Sequence, residues 1–321
     1  MIIPFWDRKR VLVTGGTGFV GAHLVKRLRS AGAHVDVMDI RGSGPTSKAL
    51  GTEFDFRYRD LAASVYQGHV PLYDIYHVVF HLAGQVSVSQ CHIHPHLAAQ
   101  ANVLASLQIL RWVRDYPDVT FVCASSDRVY GDAKDTTGHY EDDALKPVDV
   151  YGATKAASDV LFEQAARAGY KVSQLRHVNS YGPADPHLDH LIPGSIVSAI
   201  KGEPIKLRSD GSPKKGYLHV EDVVDAYLIL GKDTSLGHAR GSFNCSPVNI
   251  YSAAQVAFLL SGMVEPQAQV QVLSTDMSQS GYTEYLNSNK LRARGWLPKY
   301  GLFDGLQDTL KWYQEHPEFW Q

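Results

Sequence analysis

The chain has 321 residues, 44% of them hydrophobic and 20% charged, and a formal net charge of −2. That length implies one large core or two packed lobes; the average composition excludes a disordered or membrane class, and the scatter of Lys and Arg gives no support to nucleic-acid binding. Cys91, Cys123 and Cys245 are odd in number and widely spaced, so they read as small buried thiols of a reducing compartment; with no apolar run of signal-peptide or membrane length, the expected address is the cytoplasm.

Residues 10–14 form a short apolar run ending in a glycine cluster, and over 19–28 apolar residues recur at helical spacing, so this segment reads strand, tight turn, helix. Further strands are expected at 34–38, closed by Asp39, and at 54–58, 75–81 and 119–124, with helical patterns between most of them, notably 97–116. Such alternation implies right-handed crossovers and a parallel sheet covered on both faces. After a strand at 170–178, residues 181–193 are rich in Pro, Gly, Asp and His without periodicity and mark a loop-rich substrate lobe. A helix over 218–230, a strand at 241–244 and an amphipathic packing helix within 301–321 complete the chain. The expected fold class is α/β, a Rossmann-type doubly wound parallel sheet with a smaller, discontinuous C-terminal lobe. Residues 1–178 and a return segment near 217–247 make the first lobe, and 179–216 with 248–321 the second.

The segment 14–21 places Gly15, Gly18 and Gly21 where backbone must approach a pyrophosphate without Cβ in the way, at the start of a helix opened by Phe19 and Val20. Asp39 closes the next strand at the distance where a carboxylate accepts both ribose hydroxyls. That points to a dinucleotide. Asp39 repels a 2′-phosphate and so favours NAD over NADP, with Arg41 close enough to weaken the preference.

Tyr151 and Lys155 stand four apart at the start of an expected helix, which puts phenol and ammonium on one face. A cation there is expected to lower the Tyr pKa toward the working range. Ser126 follows the strand 119–124, so it emerges at the carboxyl edge of the sheet, where it can hydrogen-bond a reacting hydroxyl.

Taken together, TGGTGFVG at 14–21, HLAG at 81–84, SSDRVYG at 125–131 and YGATK at 151–155 resemble the extended short-chain dehydrogenase/reductase (NAD-dependent epimerase/dehydratase) family. The likeness continues through RHVNSYGP at 176–183, HLIP at 190–193, YLHVEDVVDAYL at 217–228 and GWLPKYGLFDGLQDTLKWY at 295–313, nearly the whole chain. It implies that Asp60 and Leu61 lie near the adenine, that Leu82, Ala83, Gln85 and Asn102 line the cofactor site, and that Lys155 also holds the nicotinamide ribose. Val86, Ser87, Asn179, His190 and Ile192 would meet a nucleotide-sugar. A homodimer paired through the YGATK helix and the helix at 97–116 is implied too.

Within the family the resemblance is to nucleoside-diphosphate-hexose 4,6-dehydratases such as CDP-glucose 4,6-dehydratase, because Asp127 follows Ser126 where 4-epimerases usually carry a small residue. In that chemistry Tyr151 takes the 4-hydroxyl proton while NAD takes the C4 hydride. Water then leaves across C5 and C6, with Asp127 as acid only if burial keeps it protonated, and hydride returns to C6. Two departures stand out. Arg128 replaces the expected Glu or Lys and makes a poor base, and Lys215 stands where Arg would fork a diphosphate. Arg176, His177 and Arg208 are further candidate phosphate partners. An epimerase using transient C4 oxidation is the alternative reaction, and a non-catalytic NAD-sensing protein the alternative class. Cys91, His92, His94 and His96 offer metal-type donors, but Pro95 and the lack of a matching ligand pair argue against a metal. His187 and His190, in the substrate loop, carry no expected catalytic role.

Overall fold

In the computed structural model, which describes residues 3–321 apart from 41, 43, 53–55, 59, 67–71, 73–75, 134–136 and 274–281, the first apolar run is strand β1 (Arg10–Thr14). Val11 and Val13 point into one core and Leu12 into another, so both faces of the strand are buried, as the two-residue period of a sheet requires. Around it lie β2 (His34–Asp39), β3 (Phe56–Tyr58), β4 (Val78–His81), β5 (Thr120–Ser126) and β6 (Val172–His177). Four short strands follow, β7 (Asn179–Tyr181), β8 (Ile205–Leu207), β9 (Lys214–Lys215) and β10 (Tyr217–His219). The chain then returns to the main sheet with β11 (Gly241–Cys245) and ends its strands with β12 (Tyr251–Ser252), β13 (Val270–Val272) and β14 (Thr283–Glu284).

The central sheet has seven strands in the order β11-β6-β5-β4-β1-β2-β3, every neighbouring pair parallel. The order reverses between β1 and β4, and the crevice outside their carboxyl ends is where such sheets bind ligands. A separate apolar cluster draws on residues from 181 to 217 and from 256 to 313, including Ile192, Ile196, Tyr217, Leu260, Leu306 and Tyr313. The amphipathic C-terminal helix, Leu302–Glu315, supplies Leu306, Leu310 and Tyr313 to that cluster.

Several elements differ from expectation in instructive ways. The helical pattern over 97–116 is Pro95–Ala99, one π turn at Gln100–Leu104, then Ala105–Asp115. The helix expected from 218 begins at Val220, because Tyr217 to His219 pair with β7 and the His219 ring then accepts from the Glu221 N–H as an N-cap. The strand expected over 75–81 starts at Val78, and the two leading residues of the 54–58 strand fall outside the described residues. Cys91, Cys123 and Cys245 are buried and unpaired. Among the described residues no helix is long and apolar enough to cross a membrane.

Candidate active site

One cavity of about 1390 Å³ runs over the carboxyl edge of β1, β4 and β5 and into the loop-rich half of the chain. Gly15, Gly18, Phe19, Val20, Gly21, Asp39, Asp60, Leu61, Leu82, Ala83 and Gln85 line one part of it. Arg41 lies outside the described residues.

Glycine is demanded here by distance. Gly15 has φ +71°, and a Cβ on it would lie 2.6 Å from the Ala83 nitrogen, the β4 side of the crevice. A Cβ on Gly21 would lie 2.2 Å from the Gly15 carbonyl oxygen. Gly18 caps the helix Phe19–Ser30 with no side-chain hydrogen bond, which leaves the helix N-terminus open to an anion. Asp39 accepts from Thr17 through its N–H at 3.2 Å and its hydroxyl at 2.7 Å, so the acidic end of β2 is tied to the glycine turn. These residues fit a dinucleotide. Gly21→Ala should therefore cost about 1–3 kcal/mol of stability by overpacking and lower the NAD content of the purified protein; unchanged Tm and full cofactor occupancy would contradict the close approach.

Asn102 reaches the site indirectly. Its amide is buried, donating to Thr154 Oγ1 at 2.9 Å and to the Gln85 carbonyl at 3.1 Å and accepting from the Gln85 N–H at 2.8 Å. From the π turn it thus ties the loop after β4 to the helix Val150–Arg167, which carries Tyr151 and Lys155.

At the end of β5 the chain enters a 3-10 turn, Asp127–Val129, and places Ser126 and Asp127 together. The Ser126 hydroxyl donates to Asp127 Oδ1 at 2.8 Å. Asp127 is 5% exposed and lines the cavity, and its Oδ2 has no hydrogen-bond partner. Burial, reinforced by the carboxylate of Glu284, pushes the Asp127 carboxyl up to about 7, against the pull of Arg128. The protonated acid that the reaction would demand is therefore accessible near neutrality.

Tyr151 and Lys155 both line the cavity, but the expected electrostatics differ. Burial pushes the Tyr151 phenol up to about 12, with Ser126 and Arg128 opposing. The Lys155 ammonium is itself buried, which brings it down to about 8, and it donates to the Ala124 carbonyl at 2.6 Å. Burial outweighs the nearby Arg128 charge, so the expected lowering of the Tyr151 pKa is not what the structure shows.

Arg128 is pinned between two acids. Nη1 donates to Asp149 at 2.8 Å, and Nη2 lies 3.0 Å from Glu284 Oε1. Burial works against the charge, but the carboxylates of Glu284, Asp127 and Asp149 outweigh it and keep the guanidinium charged, so it is no base.

Glu284 was not singled out by any motif. It sits on β14, 2% exposed, with Lys215 at 3.1 Å and the Asn179 amide donating at 3.2 Å to the same oxygen. Lys215, which lines the cavity, therefore spends its charge on a buried carboxylate rather than standing free for a diphosphate. Arg176 is likewise consumed, in a bidentate pair with buried Asp159 at 2.9 and 2.6 Å. Arg208 lines the cavity and donates to the Asp189 carbonyl. Val86, Ser87, His177, Asn179, His190 and Ile192 also line it. Ser87 caps the helix Val88–Ile93, and His190 is the N-cap residue of the helix Leu191–Ile200.

The profile of the NAD-dependent epimerase/dehydratase family matches residues 11–246. The chain is 26% identical over 326 residues to a trifunctional UDP-glucose 4,6-dehydratase/UDP-4-keto-6-deoxy-D-glucose 3,5-epimerase/UDP-4-keto-L-rhamnose-reductase of Arabidopsis thaliana, covering 97% of this chain. It spans only about half, 48%, of that longer protein. It is 27% identical over 332 residues to the UDP-glucose 4-epimerase of Lactobacillus helveticus, covering 96% of this chain and 98% of the relative. Among solved structures, MoeE5 in complex with UDP-glucose and NAD superposes with a TM-score of 0.82 at 27% identity, covering 96% of this chain and 99% of MoeE5.

Proposed function

Given that the chain belongs to the NAD-dependent epimerase/dehydratase family, we propose that it is a nucleoside-diphosphate-hexose 4,6-dehydratase, oxidising the sugar at C4, eliminating water across C5 and C6 and returning hydride to C6. The observation that carries this reading is Asp127: a buried, cavity-lining carboxyl with one oxygen unpartnered and its pKa raised to where it can donate a proton.

When bound, NAD supplies the hydride acceptor and a cationic nicotinamide that favours the phenolate of Tyr151. Tyr151 receives the proton of the 4-hydroxyl, and Ser126 holds the oxygen beside it. Lys155 orients the nicotinamide ribose from the same helix. Asp127 protonates the departing 6-hydroxyl. Arg128, fixed by Asp149 and Glu284, stabilises the enolate that forms as the C5 proton departs to solvent and forms again as hydride adds to C6, until solvent returns a proton to C5.

An epimerase is the second reading, and Arg128 favours it, because no ionised carboxylate follows Asp127 to take the C5 proton. Incubation with CDP-glucose, dTDP-glucose, GDP-mannose and UDP-sugars separately, with product mass and keto-sugar absorbance followed, separates the two. Loss of one water establishes the dehydratase and names the nucleotide; an isomer of unchanged mass overturns it.

Glu284 acts through Asp127 in this reading. Its negative charge holds the Asp127 proton on, while it neutralises Arg128 and Lys215. Activity that needs protonated Asp127 falls as pH rises through its pKa. Glu284→Gln should move that alkaline fall to lower pH, because the repulsion is gone and two cations are released; a pH–rate profile that does not move would remove Glu284 from this role.

A further inference from the structure

We propose that Asp185, His187 and His190 form a binding site for one divalent transition-metal cation of the Zn²⁺ type in the wall of the substrate half of the cleft. One ligand atom from each of the three lies within 4.8 Å of the other two, and all three residues line the cavity. Two imidazole nitrogens and a carboxylate oxygen suit Zn²⁺, Co²⁺ or Ni²⁺ rather than the all-oxygen preference of Mg²⁺ and Ca²⁺. Three protein ligands leave a fourth position open to the cavity, the pattern of an open rather than a closed site.

The carboxylate carries the second observation. Asp185 is 1% exposed; its Oδ1 meets His187 Nδ1 at 2.8 Å, but its Oδ2 is buried with no hydrogen-bond partner. A buried carboxyl oxygen without a partner is costly, and a cation satisfies it. The His187 and His190 rings are neighbours, with centroids 4.9 Å apart.

The surrounding contacts place the carboxylate in advance. The Tyr313 hydroxyl donates to the Asp185 carbonyl, and Thr46 Oγ1 donates to the Ala184 carbonyl at 2.8 Å. His23 Nε2 lies 2.9 Å from the Pro183 carbonyl. A cation would join this anchored stretch to His190, the N-cap residue of the helix that carries Ile192 into the cavity. It would thereby fix one wall of the cleft. The cysteine and histidines at 91–96 make no comparable group among the described residues: Cys91 is buried, and the His94 and His96 rings are 6.3 Å apart.

The test uses the full chain, stripped with chelator and dialysed, titrated with Zn²⁺ by calorimetry and with Co²⁺ by visible absorption. One equivalent should bind with nitrogen-ligand absorption, and both Asp185→Asn and His190→Gln should weaken it by at least about 10–100-fold. His190 is exposed, so its variant leaves the fold intact and tests the site even where the Asp185 variant does not fold. Absence of stoichiometric binding overturns the site. So does binding that survives His190→Gln and disappears in His92→Gln/His94→Gln.

Discussion

Replacing Tyr151 by Phe should lower kcat by about 10²–10⁴-fold, with NAD content and Tm unchanged. The substitution removes only a hydroxyl at the start of a helix that is independently capped by Asp149, which accepts from the Gly152 N–H at 2.7 Å. What is lost in the proposed reaction is the group that receives the 4-hydroxyl proton, while Ser126 remains to hold the oxygen. Because burial pushes the phenol up to about 12, the wild-type rate should rise with pH at its acidic end and gain from any cation brought close. Steady-state rates with the nucleotide-sugar that the product assay identifies check this. A Phe variant with near wild-type kcat would make the Ser, Tyr and Lys set incidental and revive a non-catalytic role.

Asp127→Asn should abolish water loss, again by about 10²–10⁴-fold, while leaving C4 oxidation possible. The Asn carbonyl can still accept from Ser126 and from the Arg128 N–H, contacts of 2.8 and 2.9 Å in the wild type, so the turn after β5 should keep its shape. The carboxyl's missing function is then proton donation at C6. In single turnover the variant should accumulate the absorbance of reduced cofactor without a product lighter by one water. If the variant still releases the dehydrated sugar at the wild-type rate, Asp127 is not the acid; if it interconverts C4 isomers as fast as the wild type does, the epimerase reading replaces dehydration.

Much of the site was legible in local sequence. The strand, glycine turn and helix at 10–30 have a period, a punctuation and a helix start that few other arrangements satisfy, and Asp39 follows from the end of the next strand. Tyr151 and Lys155 share a helix face because four residues make about one turn. The site's long-range partners were not legible in this way. Glu284 lies in a two-residue strand with no motif around it, and its importance arises because β9 and β14 pair, with Glu284 opposite Lys215. Likewise Arg176, a plausible phosphate ligand by composition, faces Asp159 across the packing of β6 against the helix Val150–Arg167.

Local sequence was enough for the α/β alternation, the glycine-rich turn, the acidic end of β2 and the helix with Tyr151 and Lys155 on one face, since each depends on residues a few positions apart and on backbone sterics. Tertiary structure alone decided which cations remain available to a phosphate, whether Asp127 holds a proton, and where Lys155 directs its ammonium. Those are questions of burial and of distance between segments as far apart as 127 and 284, and charge energetics inside a protein follow through-space separation and desolvation rather than chain order.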